Sequence, residues 1–366
     1  MSPEQSLKIR NISFFLMILV AYIHGYNLNL FIAGETEKPI ADWLRFLENA
    51  VSDGFCRVAV PMFFAISGYL ASAKIMVFSP DIHREMLKKR LVSLVVPYLF
   101  VSLLGILLVV VLLLLPWSKP YFNNFSLSSP FSHWLKIWIV SPVPFQLWFL
   151  RFLWFYFLMY PLLYFGVKYG KWLFMIFMLW FWSDFLIQYR MNMQKLEVEG
   201  MVFFSIGIFL AVHRKPIGYR IRPIVFFIAF ALWMVWIGWR TGLLIQPEKD
   251  HYAVHYHILG ITFSGFFLFW FGYDFLPQSL RNSTWLKINA PYSIGVFLLH
   301  EPALTILKKL IIKAMGMNDL SLFISFLAAP AIAFMAALFL AKEIHRTIPA
   351  FYGLLTGNRA PRETNN

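Results

Sequence analysis

The chain has 366 residues, of which 60% are hydrophobic and 14% are charged. A soluble domain averages about 45–50% apolar and about 25% charged residues, so these charges are too few to cover a soluble core of this size. The net charge of +14 could attract nucleic acid, but the basic residues lie in short runs between apolar segments, which is typical of membrane orientation. We therefore expect a protein that spans the lipid bilayer and binds no nucleic acid.

The first apolar run follows Lys8 and Arg10, as it would in a signal peptide. No small-x-small cleavage site comes after it, and the run continues into Tyr22, His24 and Tyr26. Signal peptides end at such a site, so we predict that this segment is retained as the first transmembrane helix.

Ten apolar runs approach the ~20 residues that a helix needs to cross the hydrocarbon core. They lie at 12–32, 55–76, 90–115, 146–166, 171–188, 200–212, 223–243, 255–276, 291–310 and 320–341, of which the sixth is short. This pattern predicts an all-α integral membrane protein with about ten transmembrane helices. No linker or shift of composition divides the chain, so we predict a single domain over residues 1–366.

The distribution of basic residues indicates the orientation of these helices. A cytoplasmic N-terminus places most Lys and Arg on the inner side, as the positive-inside rule requires, and leaves the acidic first loop outside. An even number of helices then puts both termini in the cytoplasm. The discordant residues are Lys308, Lys309 and Lys313, which follow the ninth run.

His24 is the first ionisable residue at membrane depth. It lies about 12 residues into the first run, or ~18 Å along a helix axis at 1.5 Å per residue. Such residues are costly in a bilayer and usually functional. A neutral imidazole can take a proton from an alcohol, which suits a general base. The alternative is a buried histidine bonded to a neighbouring carbonyl.

Four further residues are candidates on the same ground. His300 and Glu301 fall within the ninth run, where neighbouring side chains point about 100° apart and must face different partners. Arg57 and Arg151 begin the second and fourth runs. For these arginines, a role in the site competes with snorkelling to the lipid headgroups.

Basic side chains also lead into the third run, where Arg84, Lys88, Lys89 and Arg90 follow one another. A topology anchor explains them most simply. The alternative is a cradle for a phosphate-rich ligand that arrives from the cytoplasm, since arginine binds phosphate through two parallel hydrogen bonds.

A metal site has weaker support. The single cysteine, Cys56, rules out an intrachain disulfide and a cysteine-based zinc site. His251, His255 and His257 resemble metal-ligand spacing, because residues four apart, such as His251 and His255, share a helix face. Because no third ligand is assured, we interpret them as an interfacial polar cluster and predict no metal and no bound cofactor.

Five segments share a further pattern. They are ILVAYIHGYN around His24, RVAVPMFFAISGYL at 57–70, KKRLVSLVVPYLF at 88–100, LWFLRFLWFYFLMYPLL at 147–163 and YSIGVFLLHEPAL at 292–304. In this order, and over most of the chain, they resemble the acyltransferase-3 family of integral membrane O-acyltransferases, which modify bacterial cell-surface polysaccharides. Each segment alone is degenerate, whereas the set is specific.

The resemblance implies transfer of an acyl group, usually acetyl, from cytoplasmic acyl-coenzyme A to a carbohydrate hydroxyl at the cell inner membrane. Acyl-coenzyme A would be a substrate and not a bound cofactor. The residues predicted to act in catalysis are His24 as the base, Arg57 and Glu301. Those predicted to bind donor or acceptor are Arg10, Asn27, Ser67, Tyr69, Lys89, Arg90, Trp148, Arg151 and His300. Many family members carry an arginine eleven residues before the histidine, where this chain has Ser13, and Arg10 could take its place.

A proton-coupled transporter or flippase for a polysaccharide precursor is the alternative function, with His24, His300 and Glu301 as a proton relay. The undivided chain and the lack of paired broken helices in matching halves disfavour it. A non-catalytic export subunit would give the intramembrane histidines no role. The sequence leaves open the acceptor glycan, the oligomeric state, and whether transfer is direct or passes through an acyl-histidine.

Overall fold

The computed structural model describes residues 2–27, 40–75, 77–115, 125–188, 198–214, 221–246 and 251–359. Within these residues the regular structure is helical throughout, with no β-strand. Seven helical stretches are long and apolar enough to cross a membrane. The prediction of an all-α integral membrane protein is therefore confirmed, while the count of ten spans and the side of the two termini stay predictions.

The described residues form sixteen α-helices. The first eight are α1 (Pro3–Gly25), α2 (Asp42–Glu48), α3 (Ala59–Ser72), α4 (Pro80–Arg90), α5 (Val96–Leu114), α6 (Phe131–Ile139), α7 (Trp148–Leu158) and α8 (Tyr160–Gln188). The others are α9 (Val198–Val212), α10 (Pro223–Ile245), α11 (His251–Gly272), α12 (Gln278–Arg281), α13 (Thr284–Asn289), α14 (Ser293–Met315), α15 (Asp319–Thr347) and α16 (Pro349–Thr356). Two π-helical segments, Asn49–Phe55 and Leu91–Val95, precede α3 and α5.

Three of the ten predicted spans have no counterpart among the seven long apolar stretches. The runs at 146–166 and 200–212 correspond to the shorter apolar helices Phe145–Leu158 and Val198–Val212. The run at 291–310 corresponds to α14, whose backbone breaks at Glu301 with φ −107° and ψ 140°. The next residue is proline, whose ring pushes the preceding residue out of the α region into extended geometry.

The chain divides into two compact units, and the first comprises Met1–Tyr26, Asp42–Met86 and Phe155–Ala290. Its most extensive helix contact joins α3 to α9. Small residues allow this close approach: a Cβ at Gly68 would lie 2.1 Å from the Phe204 carbonyl oxygen, and one at Gly207 would lie 2.0 Å from that of Ala65. Membrane helices use small residues in this way because lipid tails supply no hydrophobic drive for association.

We expect Gly207→Ala to lower the free energy of unfolding by about 1–3 kcal/mol or more, because the added methyl group would force two backbones apart. Gly242→Ala in α10 is the matched control, since a Cβ there meets no atom within 4 Å. That control should be neutral or stabilising by up to about 1 kcal/mol. Thermal unfolding in detergent measures both variants, and equal melting temperatures would contradict the close packing of α3 on α9.

The second unit comprises Asn27–Ala41, Leu87–Trp154 and Pro291–Asn366. Its main contact joins α14 to α15, where Leu304 packs against Ala329 and Ala333. Helix α6 is tied to α5 by hydrogen bonds, among them Ser102 Oγ to the Trp138 carbonyl at 2.8 Å. Helix α16 packs against both α5 and α15.

Candidate active site

His24 lies in the last turn of α1 and is half-buried. The same end of the helix is fixed by the π-helical segment Asn49–Phe55. Ser52 Oγ donates to the Tyr22 carbonyl at 2.8 Å, and the Tyr26 hydroxyl donates to Asn49 Oδ1 at 3.3 Å. The last carbonyls of a helix need partners from outside it, and Ser52 supplies one here. The imidazole is therefore carried on a backbone that polar contacts hold on both sides of it.

The π-helical segment also starts a chain of ion pairs. Arg57 Nη1 lies 3.1 Å from Asp53 Oδ1, and Arg57 Nη2 lies 2.9 Å from Glu199 Oε2. Arg240 Nη2 lies 2.6 Å from the other oxygen of Asp53. We call Asp53, Arg57, Glu199 and Arg240 the ion-pair cluster. Two guanidinium and two carboxylate groups balance, so the ionised cluster has no net charge.

Arg240 is the most buried member of the ion-pair cluster, with 2% of its surface exposed. Its Nε and Nη1 have no hydrogen-bond partner among the described residues. Buried donors that lack acceptors cost free energy, so these two nitrogens offer their N–H groups, one on Nε and two on Nη1, to a ligand or to water. The two nitrogens point in different directions on the planar guanidinium, which favours two separate oxygen acceptors over one bidentate anion.

Only Arg57 of this cluster is among the site residues predicted from the sequence. Arg240 lies inside the run predicted at 223–243. A charge within an apolar span needs a partner, so the position of Arg240 in the sequence is enough to make it a candidate site residue. Asp53 precedes Arg57 by one helical turn, a spacing that brings side chains together. Glu199 is 142 residues from Arg57 along the chain, and no local pattern indicates that pairing.

Two other predicted residues of the first unit lie along α3. Ser67 and Tyr69 flank Gly68, the residue of closest approach to α9, and Tyr69 lines an apolar cavity of about 350 Å³. The physical reason for the Ser-Gly-Tyr sequence is therefore in part the packing of these two helices, because a larger side chain at the glycine would collide with the Phe204 backbone.

Arg10 lies near the start of α1, in a polar group at that end of the first unit. Arg10 and Arg281 both lie close enough to the Tyr273 hydroxyl for their charges to interact with it. Asn11 Nδ2 donates to the same hydroxyl at 2.9 Å. Ser13, at the position where many family members have arginine, donates its hydroxyl to the Ile9 carbonyl of its own helix at 2.8 Å. Whether Arg10 replaces the family arginine stays a prediction.

His300 and Glu301 lie in the second unit at the break in α14. His300 is fully buried, and its Nδ1 lies 3.1 Å from the Val296 carbonyl and 2.9 Å from that of Phe297. Carbonyls only accept, so Nδ1 carries the proton and Nε2 is the acceptor nitrogen of the ring. Glu301 Oε2 accepts from the Thr305 backbone N–H at 3.4 Å, which makes this carboxylate a cap for the second half of the helix.

The start of α7 lies beside this part of α14. The Phe149 and Phe297 rings are 5.8 Å apart, one turn before His300. Trp148 packs against Phe152, and an Arg151 N–H donates to the Val140 carbonyl. In its own unit the structure thus places Trp148, Arg151 and His300 on neighbouring helices. Their role in binding donor or acceptor stays a prediction.

Gln146 is a polar residue of this region that the sequence analysis missed. It lies in the helical turn Phe145–Leu147, which packs against α14, and only 1% of its surface is exposed. Neither polar atom of its amide has a hydrogen-bond partner among the described residues. A buried amide is normally bonded, so its open donor and acceptor indicate a partner other than the described residues, such as a ligand or water.

The remaining predicted residues of the second unit are Asn27, Lys89 and Arg90, which belong to other segments than α7 and α14. Asn27 is buried and donates to the Leu322 carbonyl at 3.0 Å, which gives it a structural tie to α15. Lys89 is exposed and Arg90 half-buried at the end of α4. Arg359, which the sequence analysis did not single out, lies close enough for its charge to interact with that of Arg90.

The histidines with ligand-like spacing are described only in part. Trp236 Nε1 donates to His257 Nδ1 at 2.9 Å, and the Trp239 ring packs against the same imidazole. The side chains of His251 and His255 lie outside the described residues. His257 thus contacts two tryptophans, and the interpretation of the three histidines as an interfacial polar cluster stays a prediction.

The comparison with protein families gives a match to the acyltransferase domain of the acyltransferase-3 family over residues 9–341. No curated protein and no solved structure matches the chain. The match covers nearly the whole chain, on helices long and apolar enough to span a membrane. The protein therefore belongs to the acyltransferase-3 family and is a multi-pass membrane acyltransferase.

Proposed function

We propose that this protein moves an acetyl group from cytoplasmic acetyl-coenzyme A to a hydroxyl of a cell-surface glycan or its lipid-linked precursor, at the cell inner membrane. The observation that carries this proposal is the family match over residues 9–341, which includes the histidine at the end of α1. His24 acts as the general base, since imidazole can accept an alcohol proton near neutral pH.

In the proposed reaction His24 takes the proton of the acceptor hydroxyl as its oxygen attacks the thioester carbonyl. The tetrahedral intermediate then collapses, the carbon–sulfur bond breaks, and the proton on the imidazole passes to the leaving thiolate. Arg57 is the proposed donor to the developing negative charge on the carbonyl oxygen. Two carboxylates hold its guanidinium in place, so its orientation needs no rearrangement during the reaction.

The ion-pair cluster is the proposed binding site of the acceptor. Because its charges balance, it favours a neutral, hydroxyl-rich ligand over an acidic one. Arg240 offers N–H donors on two nitrogens, and Asp53, with a third of its side chain exposed, offers carboxylate oxygens. A sugar ring presents hydroxyls that can both accept and donate at neighbouring positions, which suits this combination.

The proposed donor site includes Lys89 and Arg90, with His300, Trp148 and Arg151 near the acyl-bearing end. Purified protein in detergent, given acetyl-coenzyme A and a panel of neutral and acidic glycans, should release free thiol in an acceptor-dependent way. Thiol release is the readout because a transporter would consume no thioester. Silence with every acceptor, and with longer acyl donors, would exclude the proposal.

We expect Gln146→Leu to lower the transfer rate about tenfold while the melting temperature stays equal or rises. The substitution removes a buried amide that has no partner within the described chain, and such an amide costs about 1–3 kcal/mol in the absence of a ligand. Asn11→Leu is the contrast, because Asn11 is equally buried and its Nδ2 makes two hydrogen bonds. That variant should be clearly destabilised. A large loss of stability in Gln146→Leu would instead assign its amide to the fold.

A further inference from the structure

The C-terminal segment of the described chain packs closely against the start of α5. Helix α16 ends at Thr356, and the C-cap residue after it, Gly357, has a left-handed backbone with φ 64°. A Cβ at this position would lie 2.5 Å from the Val92 carbonyl oxygen and 2.6 Å from the Ser93 Cα. Both the backbone geometry and the lack of space require glycine here. The contact brings Gly357 onto the π-helical segment Leu91–Val95.

Arg359 is fixed on that segment by a hydrogen bond. Its Nη2 donates to the Ser93 carbonyl at 2.8 Å. The Ser93 hydroxyl is also buried and has no hydrogen-bond partner in the part of the chain that the structure describes. π-Helical turns often occur at functional sites. One guanidinium edge is thus held by the backbone, and a serine hydroxyl beside it is available for a further contact.

Arg359 lies close enough to Arg90 for the two positive charges to interact. Burial, and then the neighbouring charge of Arg90, lower the pKa of Arg359 to about 10. Among the described residues, Arg359 forms no ion pair with a carboxylate. Two like charges gathered at a partly buried place repel each other, and a shared anion would turn that repulsion into attraction.

We propose that Arg359 binds the phosphate groups of the acyl-coenzyme A donor together with Arg90, so that the C-terminal segment forms part of the donor site. This inference rests on the proposed function. Guanidinium groups bind phosphate through charge-assisted hydrogen bonds, and two of them can share one phosphate or contact two. The glycine at the end of α16 and the Ser93 carbonyl position the second arginine.

Calorimetric titration of the purified protein with coenzyme A tests the proposal without requiring transfer. Arg359→Gln should weaken coenzyme A binding roughly ten- to a hundredfold, as expected for the loss of a charged hydrogen bond. Arg359→Lys keeps the charge but loses the planar fork, and should bind several-fold more weakly than the native protein. Arg346→Gln is the matched control, because Arg346 is exposed and paired with Glu343, and its affinity should be unchanged.

Titration with dephospho-coenzyme A identifies the phosphate involved. If Arg359 contacts the ribose 3′-phosphate, Arg359→Gln will weaken only the complete coenzyme. If it contacts the pyrophosphate, the variant will weaken both ligands, and either result supports the proposal. Native affinity in Arg359→Gln, or in Arg359→Lys if the first variant does not fold, overturns the role of Arg359 and leaves the proposed function intact. A native protein that binds neither ligand overturns the proposed donor as well.

Discussion

Replacing His24 with alanine should reduce acceptor-dependent thiol release from acetyl-coenzyme A by about 10²–10⁴-fold, the range that a positioned general base contributes. Without the imidazole the proposed acceptor of the hydroxyl proton is lost as the thioester carbonyl is attacked. Coenzyme A binding should change little, because its proposed phosphate contacts are made by other residues. The measurement is the initial rate at saturating donor, with titration of coenzyme A alongside.

His213→Ala is the control for the loss of an imidazole as such. His213 is also half-buried, and its Nε2 lies 3.1 Å from the Val167 carbonyl, an arrangement that the fold accounts for. This variant should keep nearly native activity if it folds. Near-native activity in His24→Ala would exclude His24 as the base and also as the carrier of an acyl-histidine. Equal losses in both variants, with equal losses of stability, would point to folding instead of chemistry.

The second large effect concerns the free energy of unfolding. Replacing one partner of the Asp53–Arg240 ion pair should destabilise the protein much more than replacing the other. Asp53→Asn should destabilise the protein by about 3–5 kcal/mol, because it leaves the charge of Arg240 buried without its carboxylate. Arg240→Gln should cost less, about 1–2 kcal/mol. The reason is that Asp53 is about one-third exposed and keeps its ion pair with Arg57.

The double variant Asp53→Asn with Arg240→Gln should be more stable than Asp53→Asn alone, since the uncompensated charge has gone. Thermal unfolding in detergent of the four proteins gives the coupling free energy, for which neighbouring residues typically give 0.5–3 kcal/mol. Arg45→Gln removes an exposed pair with Asp42 and should change stability by less than about 1 kcal/mol. Additive effects of the two single substitutions would contradict the coupling.

Local patterns in the sequence were enough to predict the membrane character and much of the helical structure. Hydropathy is a property of a run of residues and does not depend on what the run packs against, so most predicted spans coincide with helices. The same holds for the break before Pro302, which follows from the geometry of the peptide unit. The break was nonetheless not predicted, because the apolar character of the run at 291–310 continues across it.

The recognition of the family likewise depended on local segments. The histidine segment in the first run, Ser-Gly-Tyr in the second and His-Glu-Pro in the ninth are each short, and their order along the chain made them specific. The family match over residues 9–341 confirms that recognition. The roles of the individual residues stay predictions, because membership of a family does not by itself assign them.

The tertiary structure alone decided which polar groups meet. Glu199 reaches Arg57 across 142 residues and Arg359 reaches Ser93 across 266, and no local pattern carries such pairings. Gln146 looks ordinary in the sequence, and only the packing of its turn against α14 buries its amide without a partner in the described chain. Hydropathy and its periodicity are local properties that indicate which segments are buried in lipid or protein. Ion pairs and unsatisfied hydrogen-bonding groups depend instead on which segments, distant in sequence, pack beside one another.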